Sequence, residues 1–194
     1  MAQIKSALEI ALARTENVAS DKEGLRLKEL EEKGKKIASV YLNDHQDAKK
    51  LKTEISAFSG EDKKIILKAA RTVLDSNFTL PAYDDFSIHL KILEEGYTAL
   101  SGDPNQMATF FKEVAGFFKQ YTDAKNQLAE ALKARLEQVA KTKSQQVAAQ
   151  TGMQMEIPPE SLPEYAKAYR ENLAKISEQY KEALDQVKEG LREI

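Results

Sequence analysis

Between Pro104 and Gln150 the chain has no internal proline and a single glycine, Gly116. Nothing there interrupts a helix, because proline breaks the backbone ladder and glycine weakens it most among the other residues. A Pro-rich break follows at Glu156-Ile157-Pro158-Pro159-Glu160. Apolar residues then return at steps of four and three: Leu162, Ala166, Tyr169, Leu173, Ile176, Tyr180, Ala183, Val187, Leu191 and Ile194. This spacing is the seam of a coiled coil, sustained for more than four heptads. The two segments read as helices of about 70 Å and about 45 Å at 1.5 Å per residue, folded back on each other. Helices of that length reach out of an ordinary domain.

Antiparallel pairing through residues 151–161 sets the last helix against Leu136, Leu132, Leu128 and Tyr121, and uses up the longer helix near Phe118. Met107, Phe110, Phe111, Val114, Phe117 and Phe118 are left as a wider apolar face that needs more than one partner helix. The N-terminal segments supply them. The expected fold is all-α: a helical bundle head over residues 1–118, continuous with an antiparallel two-helix coiled-coil hairpin over 119–194.

The head is expected to contain five helices. Ile4, Ala7, Leu8, Ala11 and Leu12 make the stripe of a first helix over 3–17. Ser20-Asp21-Lys22-Glu23 has capping-box spacing and opens a second, running to Leu42. Asn43-Asp44 caps a third, through Phe58. Ile65, Ile66, Ala69, Ala70, Val73 and Leu74 line a fourth, which ends at Asp75-Ser76-Asn77. Leu80-Pro81 makes 78–83 a connector, because the residue before proline is pushed out of the helical region. Asp84 or Asp85 then caps a fifth helix with Ile88, Ile92, Leu93 and Leu100 on its apolar side. Ser101-Gly102-Asp103-Pro104 is the clearest boundary, where glycine stops one helix, aspartate caps the next and proline takes the first turn. Ser161-Leu162-Pro163-Glu164 has capping-box spacing before the last helix.

Composition narrows the functional classes. The formal charge is −2, with acidic and basic residues closely balanced along the chain, so no segment carries the field that draws in nucleic acid or anionic lipid. No stretch approaches the roughly 20 apolar residues needed to cross a bilayer. The run Ala7-Leu8-Glu9-Ile10-Ala11-Leu12-Ala13 is too short and too interrupted for a secretory leader, and a cytoplasmic location is expected. With no cysteine, disulfides, thiolate metal sites and cysteine nucleophiles are excluded.

Four features invite a functional reading. The first is Met153, Met155 and Ile157 in Gly152-Met153-Gln154-Met155-Glu156-Ile157, which alternate with polar residues at the turn between the long helices. Methionine is flexible and overused at adaptable binding surfaces, and a hairpin tip has few neighbours to bury it. These three residues are the candidate partner contact, against the alternative that they fold back over the end of the coil. The second is the pair of doublets Phe110-Phe111 and Phe117-Phe118, which recur after seven residues and form either core or a docking groove. Gly116 beside them would admit another backbone.

The third feature is Asp85 and His89, four residues apart on one helix face. With Asp84, Glu94 and Glu95 they suggest a carboxylate/His bundle that binds metal. No Glu-x-x-His repeat or four-ligand zinc pattern accompanies them, so a capped surface histidine is the simpler account. The fourth is the basic groups Lys33, Lys35, Lys36 and Lys49, Lys50, Lys52, which could meet phosphates but are interleaved with Glu29, Glu31, Glu32 and Glu54, the pattern of a solvated face.

Phosphate-binding loops, nucleophile elbows and His-Glu-x-x-His are absent from the chain, which argues against an enzyme. No cofactor or metal is expected. The expected function is a non-enzymatic helical interaction or scaffold protein, or an assembly subunit, acting through the coiled-coil arm and its tip on a protein partner or on itself. A metal-binding helical bundle or enzyme is the alternative, and a chaperone-like or secretion adaptor a further one.

Overall fold

A computed structural model describes residues 7–45 and 47–192, and side chains over 22–44 and 47–191. The chain is all-α: six α-helices and no strand among the described residues. They are α1 (Ala7–Val40), α2 (Ala48–Ser56), α3 (Gly60–Asn77), α4 (Ser87–Ser101), α5 (Pro104–Thr151) and α6 (Pro163–Arg192). A π-helical turn, Tyr41–His45, follows α1, and a 3-10 turn, Pro159–Ser161, precedes α6. The stripe Ile4, Ala7, Leu8, Ala11 and Leu12, and Ile194 at the end of the last seam, lie outside the described side chains.

The first correction concerns α1. Two helices were expected with a boundary at Ser20-Asp21-Lys22-Glu23, but one helix of 34 residues runs through it. A capping box only offers a start: without a glycine or proline to stop the preceding helix, the ladder continues and the backbone amides keep their own carbonyls. The cap expected at Asn43-Asp44 is made instead by Asp47, whose Oδ1 accepts from the amides of Lys49 and Lys50 at 2.9 and 3.1 Å. Asn43 and Asp44 themselves lie in the π-helical turn, Tyr41–His45.

Other boundaries follow local chemistry. Asp103 Oδ1 accepts from the amides of Asn105 and Gln106 at 3.1 and 3.0 Å, while Gly102 takes the left-handed conformation that ends α4. At α6 the expected capping box does not form. The Ser161 hydroxyl donates to the Pro158 carbonyl at 2.8 Å, closing the 3-10 turn, and α6 starts at Pro163.

The chain divides into two compact units, one of Met1–Phe78 and Lys91–Met107, the other of Thr79–Leu90 and Ala108–Ile194. In the first unit α1 packs on α3 at a point where Gly34 lies against the backbone of Ile66 and the Cβ of Ala69. Arg26 pairs with Asp62 at the start of α3. The core includes Leu30, Ala38, Tyr41, Leu51, Ile55, Ile66, Leu74, Phe78 and Tyr97, all buried. Its two buried phenols are satisfied: Tyr41 donates to the Ile92 carbonyl at 2.6 Å, and Tyr97 donates to Asp75.

Most of α5, from Ala108 on, lies in the second unit. The 48 residues of α5 correspond to about 72 Å. Phe111, Val114, Phe118, Tyr121, Leu132 and Ala140 are buried along it, and Leu162, Leu184 and Leu191 are buried beside or within α6. Phe86 meets Phe118 edge to face with ring centres 5.5 Å apart. Tyr180 of α6 lies against both Phe117 and Tyr121, with centroids 5.3 and 5.2 Å away. The Tyr121 and Ser177 hydroxyls share a hydrogen bond of 2.9 Å, and Lys143 pairs with Glu164 at 3.0 Å. Later residues of α5 therefore meet earlier residues of α6.

Candidate functional site

Thr151 ends α5, and Gly152 turns the chain with φ +70°. The hydroxyl of Thr151 donates to the Val147 carbonyl at 2.7 Å and accepts from the Met153 amide at 3.3 Å, so it supports the turn from both sides. The chain then runs back along α5. Prolines 158 and 159 remove two amide donors and favour an extended path. The Ile157 amide donates to the Ser144 hydroxyl at 2.9 Å, and Glu160 reaches Lys133 at 2.9 Å.

The three tip residues separate. Met153 and Met155 are 69% and 56% exposed, whereas Ile157 is half-buried against the helix. Of the three, only Ile157 is covered by its surroundings, and both methionine side chains remain largely in solvent. Between the returning segment and α5 lies a groove of about 970 Å³, with Ala134, Ala140 and Ala148 on the helix side and Met155, Ile157 and Pro158 opposite. Sequence reasoning located the tip but not this groove, because only the Ile157–Ser144 and Glu160–Lys133 contacts reveal that residues 154–160 lie alongside α5.

Its charges are paired unevenly. Lys133 lies 3.1 Å from Glu130 and 2.9 Å from Glu160, so one cation serves two carboxylates. Lys141 pairs with Glu137 at 2.7 Å. Hydrogen bonding to Lys133 holds the Glu160 carboxyl below the usual range. The Glu164 carboxyl is likewise lowered, first by its own backbone amide and then by Lys143. Glu156 makes no ion pair among the described residues.

Of the phenylalanine doublets, Phe111 and Phe118 are buried and Phe110 and Phe117 half-buried, with Phe117 against Tyr180. Gly116 faces open space: a Cβ added there would meet nothing within 4 Å, so no second backbone approaches it. Asp85 does not orient His89. Its Oδ1 accepts from the Ser87 hydroxyl at 2.6 Å and the Ser87 amide at 3.2 Å, capping α4, and the hydroxyl is the larger cause of its lowered pKa. His89 is exposed. Among the described residues no three of His, Asp and Glu are grouped so as to hold a metal ion, which leaves Asp84, Asp85, His89, Glu94 and Glu95 ungathered. Lys33, Lys35 and Lys36 are exposed on α1, and Lys50 of the second basic group lies 4.0 Å from Glu54. No described helix is long and apolar enough to cross a membrane.

The apolar positions spaced by four and three from Leu162 onward are unevenly buried. Leu162, Leu184 and Leu191 are buried, Tyr169, Leu173, Ile176, Tyr180, Ala183 and Val187 are half-buried, and Ala166 is exposed.

Fold and site together define an all-α protein whose long helices α5 and α6 are joined by a turn with exposed methionines beside an open groove. The chain belongs to a family of unknown function (DUF6657), whose family model matches residues 52–193, including the turn and the groove. No curated protein and no solved structure matches it.

Proposed function

We propose that this is a non-enzymatic helical interaction protein, a scaffold or assembly subunit, that engages a protein partner or a second copy through a coiled-coil hairpin of α5 and α6 and its turn. The observation that supports it best is the exposure of Met153 and Met155, 69% and 56%, on a segment otherwise fastened to α5. Flexible thioether side chains on a held backbone can adapt to an apolar partner without the entropy cost of ordering the loop itself. The antiparallel order of the Tyr121–Ser177 and Lys143–Glu164 contacts agrees with a hairpin, and the four-and-three spacing of α6 with a coiled-coil seam. A cytoplasmic setting belongs to the same reading.

Replacing both methionines by serine tests it. Met153→Ser with Met155→Ser is expected to leave helicity and melting temperature unchanged, because both side chains are exposed, and to abolish co-purification of the partner or shift the oligomer to a smaller species. Ile157 is kept, since it is half-buried. Unchanged association would remove the turn from the contact.

A further inference from the structure

We propose that the groove between α5 and residues 154–160 receives a basic amphipathic segment of a partner protein, with cationic side chains at its two ends and aliphatic side chains between them. This rests on the reading of the turn as a contact surface and names the chemistry of what it contacts. The groove is open, with a volume of about 970 Å³, and its floor is short: Ala134, Ala140 and Ala148 leave room for the side chains of an incoming segment, while Met155 and Ile157 give it an apolar wall.

Charge chooses the occupant. At the inner end Lys133 is shared by Glu130 and Glu160, leaving a net negative charge. In the middle Lys141 offsets Glu137. At the outer end Glu156, next to the Ile157 amide held by Ser144, has no cation among the described residues. Lys133 and Ser144 are separated by about 16 Å along α5, so the two negative ends match basic groups about ten residues apart on a helix, or about five apart on an extended chain. A second copy does not offer such a segment in the run Lys63-Lys64-Ile65-Ile66-Leu67-Lys68, because Ile66 is fully buried beside Gly34 of α1.

The probe is a synthetic 14-residue peptide of alanine and leucine with two lysines at each end, titrated into the isotope-labelled full chain at 50 and 150 mM salt. Amide shifts are expected to be confined to 130–148 and 154–160. Glu156→Lys should weaken binding about fivefold, the scale of one exposed ion pair. Glu178→Lys, an exposed site on α6, should change it less than twofold, which separates the groove from general attraction to a chain of charge −2. A peptide with glutamate in place of lysine should not bind the native chain, because the inner end stays negative through Glu130 and Glu160. No shift at millimolar peptide, shifts spread over other surfaces, or equal weakening by both variants would overturn the proposal. The same amides shifting with protein concentration alone would assign the groove to a second copy and overturn it too. If the two methionine substitutions abolish association while the peptide fails to bind, the contact reading stands and this inference falls.

Discussion

The Ile157 amide donates to the Ser144 hydroxyl across 2.9 Å, and that hydroxyl donates in turn to the Ala140 carbonyl at 2.9 Å. One side chain thus ties the returning segment to α5 and uses a helix carbonyl as its anchor. The segment has little other polar support at this point, since Pro158 and Pro159 contribute no amide donors.

Ser144→Ala should therefore loosen the turn without unfolding the chain. A lost hydrogen bond at a half-buried amide costs about 1 kcal/mol, and more if the donor finds no water. Hydrogen exchange is the readout: the Ile157 amide should exchange about fivefold faster or more, while amides in the middle of α3 keep their rates. Equal protection in both proteins would show that Ser144 does not hold the segment.

Two glycines on helices are expected to respond in opposite directions. At Gly34 a Cβ would lie 2.5 Å from the Ile66 carbonyl oxygen and 2.8 Å from the Ala69 Cβ, and backbone cannot move aside. Gly34→Ala should destabilise by about 1–3 kcal/mol despite the better helix propensity of alanine. At Gly116 nothing lies within 4 Å, so Gly116→Ala should stabilise by about 0.5–1 kcal/mol. Urea unfolding of both variants distinguishes them, and a stabilised Gly34→Ala would contradict the close approach of α1 and α3.

Burial, with Glu95 adding to it, pushes the Tyr41 phenol up to about 12, against a hydrogen bond that lowers it. The raised value means the folded state keeps its proton while the unfolded chain begins to ionise near the ordinary value of about 10. The stabilisation from Tyr41 is complete below about pH 10 and declines as pH rises from there through 12. Tyr41→Phe loses the bond to the Ile92 carbonyl, costing about 1 kcal/mol at pH 7, and removes this residue's share of the alkaline decline. Unfolding midpoints at pH 8, 10 and 11 should converge for the two proteins; parallel curves would contradict the account.

α5 is continuous through Lys141–Gln146, where apolar residues thin out. The chain has no cysteine, so Lys112→Cys with Ala149→Cys, both at exposed positions, gives a clean spin-label pair. The expected backbone separation is about 55 Å at 1.5 Å per residue, before allowance for the label tethers. A substantially shorter or broad distance distribution would mean that the helix breaks.

Much of the fold was legible because it rests on local chemistry. The sequence Gly102-Asp103-Pro104 states a stop, a cap and a start in three residues, and the structure uses each as expected. The length of α5 followed from the absence of anything to end it. Ser20-Asp21-Lys22-Glu23 and Ser161-Leu162-Pro163-Glu164 misled for one physical reason: a capping side chain acts only where amides are already free, and a competing ladder or the Pro158 carbonyl takes precedence. The role of Gly34 was hidden, because its partners Ile66 and Ala69 are more than 30 residues away. At the candidate site the methionines could be read from composition and position. The groove could not, since it depends on the path of 154–160 and on which α5 residues receive Ile157 and Glu160.

The most direct test of the turn as a contact surface is to place a photo-crosslinking residue at Met153, and separately at Met155, in the cells that make the protein. The account predicts one discrete adduct shared by both positions, containing either a single partner or a second copy, and no such adduct from the exposed position Glu178. Absence of an adduct from both methionine positions, with adducts formed from Glu178, would contradict it.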